Sequence, residues 1–573
     1  MTTDIRTCSH EFLEGLNDLG IEYIFGNFGT DHAPLIEEMA RWQREGKSFP
    51  KVVLCPHETV AVHMAMGYAM ATGRGQAVLV HVDAGTANSS MGAHNAMRSR
   101  VPLMLIAGRA PFSSHGELLG TRDNYVHFIQ EPYDQASIVR PYVKWEYNLP
   151  SSAITKQALQ RAHDLMSTEP KGPVYLTVSR EVLAQTLEGP SQPPHAIAKV
   201  ASTTASPGAE FIEALADRLE RSENPVLITS YAGRNPQVPG LMAELADLTG
   251  IAVVEFYPIH LNLAHDHPCH GGFAPGPHVA KADLGLLLDV DVPWIPRDVD
   301  LNPATHWVQI DVDPIKRDLP LWPFPAHERW QADSAQVLRQ LIAILRRRNH
   351  AGLKERAARR TPLLAQAAQT RRGKANRDAA EHGQHGAINP HYLCALLSEQ
   401  IGEDAIVVNE AIRNTGPVIA QMPRRQGGSW FGNGGGGLGF SGGTALGIKL
   451  ARPELTVVQC VGDGSMYFSA PSSVLSAAQA YGLPIFTVVF DNRGWAAVRD
   501  ATVSVYPKGY AAEQDEFQAR LAGQTDFSAV ARASGAHGEY VEAADQLDAA
   551  ISRCLDATQR GQAAVLHVKV APF

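Results

Sequence analysis

The sequence predicts an α/β protein made of three doubly wound parallel-sheet domains. The first observation behind this is repetition: short apolar runs alternate with helix-period patterns in three successive blocks. Alternation of strand and helix gives a parallel sheet with both faces covered. The second is length, since 573 residues suit several units of ~100–200 residues each. The third is punctuation. Residues 190–208 are rich in Pro, Ser, Thr and Ala, as an extended linker would be, and residues 346–377 are dense in Arg and Lys with few large apolar side chains.

The expected boundaries are 1–188 for an N-terminal domain, 205–345 for a central domain, 346–385 for a basic linker or helix with a solvated face, and 386–573 for a C-terminal domain. In the first block, residues 21–25, 51–55, 77–82, 103–107 and 174–178 read as strands. Residues 57–72 read as a helix stopping at Gly73, where a left-handed cap suits glycine. In the second block the strands fall at 225–229, 252–255, 284–288 and 307–310. In the third, 405–408, 457–461 and 484–490 read as strands, and 469–482 has helical composition.

Composition removes several function classes. The net charge of −9 provides no basic field for a phosphate backbone, so no nucleic-acid partner is expected. No apolar run approaches the ~20 residues needed to span a bilayer, and the first residues lack a secretory pattern. None of the six cysteines forms a CxxC, which suits buried thiols in a reducing, cytoplasmic setting.

Chemistry concentrates at 457–494. Gly462-Asp463-Gly464-Ser465 follows a strand as a tight turn, and Asp491-Asn492-Arg493-Gly494 follows the next. Ligands of parallel sheets bind at such strand ends. Asp463 and Asn492 are hard oxygen donors suited to Mg²⁺ or Ca²⁺. The Gly464 and Ser465 N–H groups, at a helix start, suit an anion. A divalent ion bridging a diphosphate to protein oxygens is the physical reading. Two other motifs carry less. The stretch from His57 lacks HExxH, because position 61 is Ala, so a zinc-protease reading fails. Gly432, Gly434 and Gly437 form a GxGxxG that no strand is expected to precede directly, which weakens a nucleotide-binding oxidoreductase.

Gly-Asp-Gly, then 26 residues, then Asp-Asn resembles the metal signature of thiamine diphosphate enzymes. A second stretch, His57-Glu58-Thr59-Val60-Ala61 followed by Gly67-Tyr68-Ala69 and Thr72-Gly73, resembles their characteristic segment near the N-terminus. Over nearly its whole length the chain resembles the group of acetohydroxyacid (acetolactate) synthase, benzoylformate decarboxylase and pyruvate decarboxylase. The resemblance implies that the three domains bind, in order, the pyrimidine, no assigned ligand, and the diphosphate. It implies Mg²⁺ on Asp463, Asn492 and the Gly494 carbonyl, with Asp491 departing from the usual Asn. It implies that Glu58 partners the pyrimidine N1′ as the catalytic carboxylate. Leu438 becomes the wedge beneath the bent cofactor, the Gly436 carbonyl an acceptor for its amino group, and Asn409-Glu410 part of the loop over the diphosphate.

The same resemblance places Thr30, His81, Gln130 and Trp495 at the substrate pocket, with His81 as a second catalytic residue moving a proton. Trp495 stands where Tyr is common, and residues 496–524 read as a lid. The stretch 289–296 lacks the arginine of flavin-binding synthases, so FAD is not expected. A second pocket histidine has no evident match, which tilts the reading toward carboligation. The expected activity is decarboxylation of a 2-oxo acid with ligation to a carbonyl acceptor, acetolactate synthase-like. The alternatives are a benzoylformate decarboxylase-like enzyme and a non-catalytic relative. A homodimer or homotetramer is implied, with the site at the subunit interface.

Overall fold

A computed structural model describes residues 6–187, 205–521, 523 and 525–572. Most of the linker expected at 190–208 lies outside the described residues. Three six-stranded sheets carry the fold, and every pairing in them is parallel. The first contains β1 (Tyr23–Gly26), β2 (Lys51–Leu54), β3 (Gln76–Val80), β4 (Leu103–Arg109), β5 (Glu146–Leu149) and β6 (Pro173–Ser179), in the order 2-1-3-4-6-5. The second contains β7 (Pro225–Thr229), β8 (Ala252–Glu255), β9 (His270–Gly272), β10 (Leu284–Leu288), β11 (His306–Asp311) and β12 (Glu328–Gln331), in the order 9-8-7-10-11-12. The third contains β13 (Ile406–Glu410), β14 (Trp430–Phe431), β15 (Val457–Gly462), β16 (Phe486–Asp491), β17 (His537–Val541) and β18 (Ala564–Lys569), in the order 14-13-15-16-18-17. The first and third sheets thus share one strand order. The central sheet has the order of dinucleotide-binding folds, whose ligand crevice opens beside β7 and β10.

Eight helices position the features discussed below: α1 (Glu58–Thr72), α2 (Val82–Arg98), α3 (Ser334–Arg348), α4 (Ala351–Ala379), α5 (Phe440–Ala451), α6 (Asp463–Phe468), α7 (Pro471–Tyr481) and α8 (Ala496–Val505). Helix α1 is apolar all round and buried along Val60–Ala69, and it ends at Gly73 with φ 74°. It packs on α5 almost backbone to backbone. A Cβ on Gly67 would stand 2.1 Å from the Thr444 carbonyl oxygen, and one on Gly447 2.0 Å from that of Met64. Glycine alone permits this crossing. One continuous apolar core therefore runs from Phe25 and Val78 in the first sheet to Val461 and Val489 in the third.

Several local expectations change. The Gly-Asp-Gly segment is no free turn: Gly462 ends β15 and caps α6, which starts at Asp463. Strand β3 stops at Val80, and Val82 opens α2 with φ 35°. The basic segment is two helices, broken at Asn349 with φ 47°. Its arginines are largely paired, with Arg348 on Glu213, Asp217 and Glu220, and Arg356 on Glu223. A two-residue strand, β14, directly precedes Gly432, contrary to expectation. The glycine run then continues to Gly439 before α5 begins, so it is not the tight strand-to-helix turn a dinucleotide requires.

Candidate active site

The Gly-Asp-Gly and Asp-Asn residues meet at the C-terminal ends of β15 and β16. Asp463, Gly464, Ser465 and Asn492 are buried. With the Asn492 amide turned one way, its oxygen faces Asp463 Oδ1 at 3.1 Å and the Gly494 carbonyl oxygen at 2.9 Å; turned the other way, its nitrogen donates to both. Adjacent ligands of an octahedral ion with ~2.1 Å bonds lie ~3 Å apart, so the three oxygens fit Mg²⁺ in the first orientation. Burial, then the neighbouring Asp491 charge, raises the Asp463 carboxyl pKa, and a cation beside it reverses that pressure. Trp495 closes the loop from above: a Cβ on Gly464 would lie 2.5 Å from its indole Cδ1.

Asp491 is accounted for locally. Its Oδ2 accepts from His567 Nε2 at 2.8 Å and Lys569 Nζ at 2.5 Å, and its Oδ1 from the Arg493 N–H. Burial opposes its ionisation, but the histidine and lysine outweigh burial and hold its pKa low. The extra carboxylate thus has its own basic partners, and it still lies close enough to Asp463 to raise that carboxyl's pKa.

Asn409, Glu410, Gly436 and Leu438 line a cavity of about 900 Å³. Glu410 is fully buried. Its carboxylate accepts from the N–H groups of Gly439 (2.5 Å) and Ser441 (2.9 Å) and from the Ser441 hydroxyl, anchoring the start of α5. Burial raises its pKa to about 7. Its side chain therefore shapes the Leu438 segment from behind. Asn95 does the same from α2: Gly437 N–H donates to its Oδ1 and its Nδ2 donates back to the Gly437 carbonyl, both at 3.1 Å. Sequence reasoning missed Asn95; an amide on the buried face of a helix was the available signal.

Glu58 and His81 stand elsewhere in the chain and do not line this cavity. Glu58 opens α1, and its Oε2 accepts from Asn88 Nδ2 at 3.0 Å. His81 precedes α2. Its Nδ1 meets Asp31 Oδ1 at 2.6 Å and its Nε2 meets Gln130 Oε1 at 3.0 Å. Two oxygens facing one imidazole favour the doubly protonated ring, and the Asp31 hydrogen bond, against burial, raises the His81 pKa. Asp31 is 2% exposed and occupies the space a Cβ on Gly108 would need. Thr30 Oγ1 lies 3.2 Å from Nε2 of buried His127. Asp31 and His127 were not expected from sequence. His127, and His32 at 3.3 Å from Asp31, bring further imidazoles to the Thr30–His81 neighbourhood. His127 comes from the loop after β4, a region that carries no strand–helix pattern.

The chain is thus a cofactor enzyme of α/β architecture, with a metal-loop signature on its third sheet and a strand-end carboxylate on its first. Residues 6–138 match the family description "Thiamine pyrophosphate enzyme, N-terminal TPP binding domain", and residues 414–568 its C-terminal TPP binding domain. The protein belongs to the thiamine pyrophosphate enzymes, in the group of 2-oxo acid decarboxylases and acetolactate synthases. It is 27% identical to benzoylformate decarboxylase of Pseudomonas aeruginosa, over 96% of this chain and 97% of that protein. It is 24% identical to the acetolactate synthase large subunit of Haemophilus influenzae, over 94% and 90%. Its fold matches the thiamine diphosphate-dependent 4-hydroxybenzoylformate decarboxylase of Rhodococcus jostii RHA1 with a TM-score of 0.80, at 22% identity over 99% of this chain and all of that one.

The crevice at the carboxyl ends of β7 and β10 is filled by the chain's own side chains. Arg100 makes a two-pronged pair with Asp291 at 2.7 and 2.9 Å. Lys316 reaches Asp291 (2.8 Å) and Asp311 (2.5 Å), and Tyr231 donates to Asp311. Tyr231 and Lys316 are each 1% exposed. Among the described residues, no helix is long and apolar enough to cross a membrane.

Proposed function

We propose that the protein is a thiamine diphosphate- and Mg²⁺-dependent enzyme that decarboxylates a 2-oxo acid, with ligation of the acyl unit to a carbonyl acceptor as its second outcome. The observation that carries this is the convergence of three oxygens from Asp463, Asn492 and Gly494 at the mouth of α6. When bound, thiamine diphosphate supplies a nucleophilic ring carbon and an electron sink for cleavage beside a carbonyl.

The chain's own groups do the rest. Asp463, Asn492 and the Gly494 carbonyl would hold the ion, and the Gly464 and Ser465 N–H groups at the α6 N-terminus would be available to the diphosphate. Glu58 would hold its carboxylate toward the bound cofactor's pyrimidine. Leu438, on the segment set by Glu410 and Asn95, would give the cofactor an apolar support. His81, kept protonated by Asp31, delivers a proton from Nε2 to the nascent product once Gln130 yields its bond. Burial lowers the pKa of the neighbouring His127 imidazole, so proton supply, and with it release of an aldehyde, rests on His81. Ligation remains the outcome where an acceptor carbonyl reaches the site first.

We further propose a homodimer or dimer of dimers that brings Glu58 and His81 of one chain to the metal loop of the next. Supporting this, large apolar side chains are exposed near both halves: Leu119, Phe128 and Ile129 on one, and Tyr467 and Phe468 on the other. All six cysteines are free and buried, which supports a cytoplasmic setting. FAD has no place in the reading, since the central crevice is filled. The test is CO₂ release from pyruvate and benzoylformate, with and without Mg²⁺ and thiamine diphosphate, and chromatography of aldehyde and hydroxyketone products. No CO₂ from either acid, with no hydroxyketone from aldehydes, overturns the proposal.

A further inference from the structure

The 900 Å³ cavity stands near the top of the ~300–1,000 Å³ range of sites for drug-sized ligands. One wall is the segment assigned above to the cofactor, from Asn409 to Leu438. The opposite wall comes from the central domain and α4: Phe256, Tyr257, Phe273, Arg371 and Arg372. No group there has a role in the proposed chemistry.

Three features mark this wall as built for a ligand. Arg371 and Arg372 are successive residues that brace opposite sides of the cleft. Arg371 Nη2 donates to the His270 carbonyl at 2.5 Å, and Arg372 Nη1 to the Ala420 carbonyl at 3.0 Å. Neither makes an ion pair among the described residues. Both side chains are exposed, so the N–H donors they do not spend on these carbonyls face the solvent of the cleft. Arg371 loses only part of its solvent shell against the cleft wall, which lowers its pKa, and no carboxylate offsets this. Second, Tyr257 is 73% exposed at the cavity and has φ 46°. Third, Ile412 on the cofactor side is 48% exposed with φ 45°, a β-branched residue in the left-handed region. Strain of this kind persists where the surrounding structure imposes it, and it concentrates at ligand sites.

We infer that this second compartment binds the distal oxyanion, carboxylate or phosphate, of an elongated donor whose apolar middle lies against Phe256, Tyr257 and Phe273. Planar guanidinium groups read such oxyanions through paired N–H bonds. The inference deepens the function proposed above by naming its substrate class, and it rests on that reading for the keto end of the donor.

The test uses the holoenzyme and matched probes. Suberate and octanoate, which lack a keto group, are titrated calorimetrically. Then 2-oxosuberate, 2-oxooctanoate, a 2-oxo acid of like length ending in a phosphate ester, and pyruvate are compared as donors. Wild type should bind suberate at least tenfold more tightly than octanoate, and should show the same preference in kcat/KM, carried by KM. R371Q should erase the preference and leave pyruvate kinetics unchanged, while R371K retains part of it. The phosphate arm decides which oxyanion is preferred. If wild type does not distinguish suberate from octanoate, or R371Q leaves the preference intact, the inference is wrong. If R371Q does not fold, R372Q and the wild-type comparison decide between the two outcomes. Arg371-dependent suberate binding without CO₂ release from any acid keeps this inference and overturns the proposed function.

Discussion

Replacing Asp491 by Asn tests the account of the metal loop at its departure from the family pattern. Asp491 is 5% exposed, and its two basic partners, His567 and Lys569, are 1% and 2% exposed. Asn keeps the shape but removes the charge that the lysine meets at 2.5 Å and the histidine at 2.8 Å. Breaking a buried pair by neutralising one member costs ~3–5 kcal/mol. For a unit of roughly 190 residues, at ~2–4 °C per kcal/mol, that lowers the melting transition by about 6–20 °C. Pairing D491N with K569M should return much of the loss, because it removes the buried ammonium that D491N leaves without its counter-charge. Mg²⁺ binding at neutral pH should not weaken, since Asp491 is, after burial, a cause of the raised Asp463 pKa. The assay is differential scanning calorimetry of apo-protein for wild type, both singles and the double, with a Mg²⁺ titration of each. A D491N transition within ~2 °C of wild type, under ~1 kcal/mol, or a double mutant with simply additive losses, would refute the reasoning.

Other consequences follow from the same geometry. Asp463→Ala should lose Mg²⁺ and diphosphate binding together, with little change in circular dichroism; calorimetric binding at wild-type affinity would contradict it. Asp31→Asn should shift the pH–rate midpoint assigned to His81 downward. Asp31 is stabilising only where ionised and His81 only where protonated, so the stability of wild type over D31N should be largest between about pH 4 and 6.5 and decline as pH rises through the raised His81 value. His81→Ala should raise the hydroxyketone-to-aldehyde ratio, read by chromatography, without weakening cofactor affinity; an unchanged ratio removes its proton role. Purified protein should show no stoichiometric flavin absorbance, because Tyr231, Lys316 and Arg100 occupy the central crevice.

What the sequence conveys depends on whether information is local. The strands at Pro225–Thr229, Ala252–Glu255 and Leu284–Leu288 coincide with their apolar runs, because a buried parallel strand needs apolar residues on both faces. The cap at Gly73 is legible too, with φ 74°, whereas Gly482, read as part of a helical stretch, caps α7 at φ 60°. Asp463 and Asn492 are found through spacing, since each follows its own strand. Asp31, Asn95 and His127 are not, because their partners lie 50, 342 and 97 residues away. The Arg100–Asp291 pair spans 191 residues, and no periodicity announces it. Strand order is equally silent: three similar alternating blocks yield two sheets of one order and a third of another.

The central claim is that Glu58 and the Asp463–Asn492–Gly494 oxygens serve one thiamine diphosphate. Proton exchange at cofactor C2, followed by NMR in the presence of Mg²⁺, tests it most directly. Wild type should exchange fast and Glu58→Gln at least a hundredfold more slowly, with cofactor affinity and fold retained. Exchange at the wild-type rate in Glu58→Gln would contradict the account.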